Sequence, residues 1–174
     1  VSMMKKNHLL KLSLTILTVC FAFLLVACGQ KEGVTYYQKI DQSKQFDIRL
    51  TYYHKGDKVT KQTTENFISY QSLGIDETQE EQKNDAKAKI EALSKQYQTV
   101  KGVKESVSFD EKGIKENIEI DYEKADLEEL ASLPGIMISN EKNAKRISMK
   151  VSGEMLEKSG FTKVENGKFE ELKK

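Results

Sequence analysis

The chain has 174 residues, of which 28 are basic and 27 acidic, and its formal net charge is +1. A chain of this length can bury one adequate core, and the balanced charge argues against binding to nucleic acid or another bulk polyanion. Arg49 and Arg146 are the only arginines. This composition disfavours bidentate recognition of phosphate, which arginine supplies better than lysine.

The first 27 residues have the composition of a secretory signal peptide. Three lysines lie among the first 11 residues, residues 12–27 are mostly apolar, and no acidic residue precedes Glu32. The apolar run of 16 residues is shorter than the roughly 20 that a membrane-spanning helix requires. We therefore expect residues 1–27 to be a cleaved signal peptide.

The predicted signal ends in Leu25-Val26-Ala27-Cys28, which resembles the lipobox of bacterial lipoproteins. In that class a diacylglyceryl group, with acyl chains such as palmitate, is attached to the thiol, and cleavage makes the cysteine the new N-terminus. Since stable anchoring takes two acyl chains, we predict that lipid on Cys28 holds the protein on the extracytoplasmic side of the cell membrane. The alternative is an ordinary signal cysteine like Cys20, with cleavage elsewhere or none.

The preference for lysine over arginine is common in AT-rich genomes and favours a Gram-positive source.

Removal of the signal would change the chemical inventory of the chain. Cys20 and His8 would be lost and Cys28 would carry lipid, so His54 would be the only histidine and no free thiol would be left. We therefore expect no disulfide, metal site, cofactor or Cys–His catalytic pair. The mature chain would carry 25 basic and 27 acidic residues, a net charge near −2.

The mature chain is predicted to have three parts. A short tether covers residues 28–33, a single α+β domain covers 34–165, and a frayed tail covers 166–174. About five flexible residues reach at most roughly 15–20 Å, so we expect a monomeric domain close to the membrane.

Two stretches alternate between apolar and polar residues with the period of a half-buried strand. Residues 46–53 are expected to pair with 59–70 across a turn in which Gly56 can adopt positive φ. Residues 103–109 and 114–122 repeat the pattern around a second turn. The two hairpins are predicted to form one antiparallel sheet.

Helical spacing predicts one long amphipathic helix over 78–98, opened by a capping box at Thr78. Its narrow apolar stripe consists of Ala86, Ile90, Leu93 and Tyr97. Ile90 and Leu93 are expected to face the first hairpin at Ile48 and Leu50. The fold class is therefore α+β, an antiparallel sheet of two hairpins with this helix packed on it.

Short C-terminal helices complete the predicted fold. One is capped by Asp126 and ends before Pro134. Another runs from a cap at Ser148 to Ser159, with Gly160 closing it. The intervening residues 135–145 are ambiguous, and Ile136 and Ile138 fit a short strand.

Four segments of the sequence resemble the YehR-like lipoproteins, a family of small bacterial lipoproteins defined as a domain of unknown function. They are Cys28-Gly29, TYYHKGDKVTKQTTENFISYQSLG at 51–74, VKESVSFDEKGIKENIEIDYEKADLEEL at 103–130 and LEKSGFTKVE at 156–165. The resemblance implies a compact α+β domain on a lipid anchor. It carries over no catalytic or ligand-binding residues.

Catalytic candidates are weak. Ser139 and Lys142 have the S-x-x-K spacing of serine acyl enzymes, but the companion motifs are absent and such spacing arises by chance in a lysine-rich chain. Glu119 and Asp121 share one face of a predicted strand and could act as a carboxylate pair, although solvated charges explain them as well. His54 could be a general base, and an exposed turn histidine is the simpler interpretation.

Two further features have a functional and a structural interpretation. The acidic run 76–81 could attract a hard cation, but acids in a first helical turn also favour the helix dipole. Tyr53 is expected to face away from the core, where an aromatic ring can stack on a sugar or peptide. The alternative is that tyrosine side chains on neighbouring strands pair with each other and stabilise the sheet.

Two functional hypotheses follow. We favour a non-enzymatic binding module at the outer face of the membrane, with an envelope protein, peptide or glycan as partner. The alternative is an envelope hydrolase that uses Ser and Lys or paired carboxylates.

Overall fold

The computed structural model describes residues 31–134 and 145–174, together with two short strands at 19–21 and 136–138. Its strands are β1 (Val19–Phe21), β2 (Glu32–Asp41), β3 (Phe46–Lys55), β4 (Lys58–Ser69), β5 (Val103–Phe109), β6 (Gly113–Asp121), β7 (Ile136–Ile138), β8 (Ile147–Ser148) and β9 (Thr162–Val164). Its helices are α1 (Glu80–Gln98), α2 (Leu127–Ala131) and α3 (Met149–Lys158).

One antiparallel sheet organises the fold. Its strand order is β5-β6-β4-β3-β2-β9, and β8 pairs with the start of β4. The chain forms a meander through β2, β3 and β4, crosses over through α1, and returns with β5 and β6, so that β6 lies beside β4. The short strands β1 and β7 pair in parallel as a separate ribbon. The predicted α+β class and both predicted hairpins are confirmed.

The meander begins earlier than the sequence indicated. Strand β2 starts at Glu32, where Glu32 pairs with Lys55 and Gly33 with His54, so these two residues belong to the sheet and not to the predicted tether. At the tip of the next hairpin Gly56 has a φ of +56°, as its expected turn role requires.

The two faces of the sheet differ in what covers them. On the inner face, α1 packs against β5 and α3 lies beside β8 and β9. The core between these layers includes Leu50, Tyr52, Tyr97, Ile120 and Leu156, each nearly inaccessible to solvent. The opposite, outer face presents the alternate side chains of β3, β4 and β6, among them Arg49, Glu65 and Asn117, which lie side by side in the strand register.

The long helix differs from its prediction at its start and in its buried stripe. Helix α1 begins at Glu80, and Gln79 at its N-cap makes no side-chain capping bond. The Thr78 hydroxyl and backbone amide both donate to the Asp76 carboxylate, at 2.6 and 2.9 Å. The predicted capping box is therefore wrong, because Asp76 holds Thr78 in a turn before the helix and takes the amide that a capping box pairs with its second side chain.

The fully buried side of α1 is formed by Ala86, Ser94 and Tyr97. Leu93 is half-buried against the cluster that holds Ile48 and Leu50, as expected. Ile90 is also half-buried but packs on a second cluster, around Tyr70 and Ile114. The predicted stripe is therefore confirmed at Ala86 and Tyr97, and only the contact of Ile90 was assigned to the wrong part of the sheet.

The two C-terminal helices have the predicted caps. Asp126 accepts from the backbone amides of Glu128 and Glu129 at 2.8 and 3.1 Å, and Ser148 accepts from Val151 at 3.2 Å. Each bond satisfies an amide that the first helical turn leaves unpaired. Gly160, with a φ of +88°, follows α3 and ends it.

The tail, residues 166–174, packs on the outer face. Phe169 packs edge-on against Tyr36 with ring centroids 5.9 Å apart, and the Arg49 guanidinium lies 5.1 Å from the Phe169 ring centroid. The predicted fraying is therefore wrong, because one aromatic residue in this charged segment finds a partner on β2.

Candidate functional site

The tail is held by side chains of the outer face that recognise its backbone. Gln38 donates its amide N–H to the carbonyl of Glu170 at 2.8 Å and accepts the Glu170 amide N–H at 2.9 Å. Gln42 repeats the arrangement further along, donating to the carbonyl of Glu171 and accepting from the amide of Lys173, both at 2.9 Å. Two glutamines thus bind successive peptide groups as a neighbouring strand would.

Charged groups complete this attachment. Arg49 donates to the carbonyl of Glu170 at 3.1 Å and pairs with the carboxylate of Glu171 at 3.0 Å. The guanidinium is itself positioned by Asp47 at 2.9 Å, and Asp47 also accepts from Gln38 at 2.8 Å. Because Asp47 is buried beneath the tail, these hydrogen bonds are shielded from competing water.

A cleft of about 300 Å³ lies between the tail and the exposed part of the outer face. We call it the outer-face cleft. Acidic, basic and aromatic side chains line it. The lining residues are Asp47, Arg49, Glu65, Asn66, Phe67, Lys115, Asn117, Glu171 and Leu172. Its wall therefore offers hydrogen-bond donors, acceptors and apolar surface together, the mixture that a peptide or another amphipathic ligand requires.

Tyr53 lies on the outer face, as predicted, at the opposite end of β3 from this cleft. It is 36% exposed, whereas its neighbour Tyr52 is fully buried in the core. Lys61 on β4 places its ammonium 4.6 Å from the Tyr53 ring centroid. Tyr53 is thus available for contact with a partner, and its role in binding stays a prediction.

The acidic candidates of β6 are engaged in surface ion pairs. Glu119 lies 4.0 Å from the Lys61 ammonium and 3.7 Å from that of Lys104, and Asp121 lies 3.7 Å from that of Lys124. Both acids occupy the outer face, as the alternation predicted. Their ion pairing supports the interpretation as solvated charges.

His54 has a structural position. It is half-buried within β3, with Nε2 2.8 Å from the Thr35 hydroxyl and Nδ1 2.8 Å from the carbonyl of Gly56. The expected exposed turn histidine is therefore wrong, because strand β3 extends through it and both ring nitrogens have local partners.

Two carboxyl groups that the sequence reasoning did not select lie under α1. We call Glu105 and Glu116 the buried acid pair. Glu116 is 5% exposed and accepts from the Asn66 side-chain amide at 3.0 Å. Burial, reinforced by the charge of Glu105, raises the pKa of Glu116 to about 8. Burial also raises the pKa of Glu105, and contact with Ser94 and Glu116 offsets part of that rise.

The buried acid pair has a recognisable signal in the sequence. Glu105 stands at an inward position of β5 between Val103 and Val107, and Glu116 stands likewise between Ile114 and Ile118 on β6. A carboxylate in the apolar phase of a strand predicts a buried, proton-binding group. Because α1 covers the pair, it is not open to a polymeric substrate.

Three candidate residues, Cys28, Ser139 and Lys142, lie outside the described residues. Within the part of the chain that the structure describes, no group of three or more His, Cys, Asp or Glu residues could hold a metal ion. No helix in that part is long and apolar enough to span a bilayer.

The architecture is that of a small α+β domain, with an antiparallel sheet whose inner face is covered by helices. Residues 32–162 match the family described as "Protein of unknown function (DUF1307)", and the chain belongs to this family. The identification as a YehR-like lipoprotein is thereby confirmed.

Similar proteins support this assignment. The chain is 43% identical over 144 residues to the uncharacterized lipoprotein Lmo0207 of Listeria monocytogenes, covering 82% of this chain and 88% of that one. It is 33% identical over 161 residues to the uncharacterized lipoprotein YehR of Escherichia coli, covering 88% and 96%. The NMR structure of E. coli YehR superposes with a TM-score of 0.61 at 33% identity, over 80% of this chain and 95% of that one. The relatives are thus lipoproteins that share this fold.

Proposed function

We propose that this protein is a lipoprotein anchored through Cys28 on the extracytoplasmic side of a Gram-positive cell membrane, and that its domain binds a peptide segment of an envelope partner without catalysis. The lipobox, the lipoprotein relatives and the similarity to a Listeria protein support the anchor and the source. One observation carries the binding role: the outer face already holds a peptide segment, its own tail, through backbone hydrogen bonds beside an open cleft.

The way in which the tail is held favours a peptide over a glycan. Gln38 and Gln42 bond to backbone N–H and C=O groups, and these contacts are independent of side-chain identity. Recognition of an extended segment by paired amide bonds, with neighbouring pockets for selected side chains, is a recurring mode of peptide binding. The outer-face cleft, with Phe67 and Lys115 in its wall, supplies such a pocket next to the tail.

Photo-crosslinking in intact cells tests this proposal. A benzophenone amino acid replaces Asn117, an exposed residue of the cleft wall. Lys89, exposed on α1, receives the same group as the matched control. We expect position 117 to yield a discrete adduct, identified by mass spectrometry as a peptide of an envelope protein, and position 89 to yield none. Equal labelling at both positions, or adducts only with glycan, contradicts the proposal.

A substrate screen tests the absence of catalysis. The full lipoprotein is incubated with ester, peptide and glycan substrates. Turnover that disappears with Glu119→Gln or Ser139→Ala would establish the hydrolase alternative. Turnover unaffected by both changes would point to a contaminant.

A further inference from the structure

We infer that one end of the domain docks on an anionic lipid surface. This hairpin-tip end is the end of the sheet at the β3–β4 turn, and it carries Lys31, Val34, Tyr53, Lys55, Lys58 and Lys61. The inference rests on the proposed anchor at Cys28 but goes beyond it, because it assigns the domain a second contact with the membrane and a fixed orientation.

The covalent connection brings this end close to the bilayer. The amide of Gly56, in the hairpin turn, donates to the carbonyl of Lys31 at 2.8 Å, so the chain enters the sheet at the tip. Cys28 precedes Glu32, the first residue of β2, by four residues. Four residues span at most about 14 Å however they are arranged. A lipid on Cys28 therefore holds the tip within that distance of the membrane surface.

The apolar residues at this end suit the membrane interface. Val34 is 42% exposed and Tyr53 36%, and they are the exposed large hydrophobic residues of the described chain. They lie directly opposite each other in the β2–β3 register. Tyrosine concentrates at membrane–water interfaces, because its ring is apolar and its hydroxyl stays hydrated. The pair therefore offers a small apolar contact at the end that the tether brings to the bilayer.

The charges at this end favour an anionic surface. Lys31, Lys55 and Lys58 are exposed, and lysines near the surface are attracted to acidic headgroups. Glu32 is also exposed and opposes this attraction. Asp57, within the turn, directs its carboxylate away to α3, accepting from the Ser148 hydroxyl at 2.7 Å and from the amide of Lys150 at 2.8 Å.

Other charges flank the tip on the neighbouring strand and helix. Lys61 is half-exposed beside the tyrosine ring, and Asp121 opposite it is paired with Lys124. Glu123, in the turn after Asp121, is exposed and opposes the attraction, as Glu32 does. Lys150 opens α3 and is exposed. The distant end of the sheet is more acidic, because six acids are exposed there against three lysines. The acids are Asp76, Glu77, Glu80, Glu81, Asp110 and Glu111, and the lysines are Lys44, Lys112 and Lys115. The charge distribution thus directs the hairpin tip, and not the opposite end, towards anionic lipid.

Tryptophan fluorescence provides the test, since the natural chain contains no Trp. Full-length protein is produced with Tyr53→Trp, or with Lys112→Trp at an exposed turn at the far end, and is purified as the processed lipoprotein. Each variant is reconstituted into phosphatidylcholine vesicles with or without phosphatidylglycerol, some carrying brominated acyl chains. We expect a blue shift and about threefold stronger quenching for Tyr53→Trp than for Lys112→Trp, and only when phosphatidylglycerol is present.

Reversing lysine charges at the hairpin-tip end distinguishes docking on anionic lipid from mere closeness to the membrane through the tether. Adding Lys55→Glu and Lys58→Glu to Tyr53→Trp should abolish the phosphatidylglycerol-dependent part of the quenching. Lys112→Glu added to Tyr53→Trp should leave it unchanged. Circular dichroism confirms that each variant is folded. Equal quenching at positions 53 and 112, or quenching of Tyr53→Trp by soluble peptide or glycan but not by lipid, overturns the inference.

Lipidation of Cys28 is tested separately from docking. Mass spectrometry of the purified protein reports whether Cys28 carries lipid. If it does not, the protein is coupled through Cys28 to a maleimide lipid and the quenching is repeated. Docking is then supported or overturned on its own, whatever the outcome for natural lipidation.

Discussion

Glu105 and Glu116 lie diagonal to each other on neighbouring strands of the inner face, since Glu105 pairs with Ile118 and Val107 with Glu116. Their carboxyl groups are close enough that the charge of Glu105 raises the pKa of Glu116, in addition to the effect of burial. Two like charges in a region of low dielectric cannot both be ionised at modest cost. The folded domain therefore keeps a proton on this pair at neutral pH.

The buried acid pair should make stability depend on pH. Both pKa values are raised in the folded state, so the folded protein binds more protons than the unfolded chain, and its stability falls as pH rises. The contribution is fully present below about pH 4.5, the ordinary value for Glu116, and is lost as the pH rises through about 8. Urea unfolding should show a free energy lower by roughly 1–4 kcal/mol at pH 8 than at pH 5.

Glu116→Gln should remove most of that pH dependence, because an amide keeps an acceptor for Asn66 and cannot ionise. Glu119→Gln, on the ion-paired outer face, is the control and should leave the slope unchanged. A wild-type free energy that is flat between pH 5 and 8 would show that the pair is ionised in the folded state.

The contrast between three positions tests the core. Leu50 is 1% exposed, and Leu50→Ala should lower the free energy of unfolding by ~2–5 kcal/mol. Leu93 is only half-buried, so Leu93→Ala should cost less than Leu50→Ala. Lys89→Ala, on the exposed face of α1, should change stability by less than about 0.5 kcal/mol. Equal costs for Leu93 and Lys89 would mean that α1 packs on a different side.

The attachment of the tail should respond to loss of its aromatic contact. Phe169→Ala removes the ring that packs on Tyr36 and Arg49. The amides of Glu170 and Lys173, bonded to Gln38 and Gln42, should then exchange hydrogen at least about tenfold faster, because the tail opens more often.

Lys174→Ala, at an exposed position of the same tail, is the matched control and should leave those two amides protected. Unchanged exchange in Phe169→Ala would show that the glutamine bonds hold the tail without the ring.

The anchor can be tested directly in cells. Cys28→Ala removes the only thiol at the predicted lipobox, so incorporation of labelled fatty acid should cease and the protein should be released or left unprocessed. Cys20→Ala, inside the predicted signal, should leave labelling intact. Labelled fatty acid that still enters the Cys28→Ala protein refutes the assignment.

Local patterns predicted the sheet well because its determinants are local. The alternation through Tyr52 and Tyr53 placed one ring in the core and the other outside, and Gly56 marked the turn between β3 and β4. The Asp126 cap was equally readable, since the interaction spans three residues. Thr78 had the same spacing, but Asp76 accepts from both its hydroxyl and its backbone amide and holds it in the turn before the helix. Spacing alone does not decide whether a residue caps a helix or belongs to the preceding turn.

The candidate site was less accessible to sequence reasoning. Gln38 and Glu170 are 132 residues apart, and nothing in either segment indicates that they meet. The low apolar content of the tail favoured disorder, whereas the backbone bonds to two glutamines hold it in place. The buried acid pair could have been found, because Glu105 and Glu116 break the apolar phase of their strands.

The two edge strands of the sheet determine how readily two copies of this protein can join edge to edge. At one edge β9 contributes only three residues, with the exposed Lys163 at its centre. At the other, β5 presents Lys104 outward and turns Glu105 inward. Short edge strands, lysines and inward-pointing carboxyls hinder the joining of one sheet to another. The proposed anchor would confine the molecules to two dimensions, where they would meet often, and edges of this kind would let them crowd without strand-to-strand aggregation.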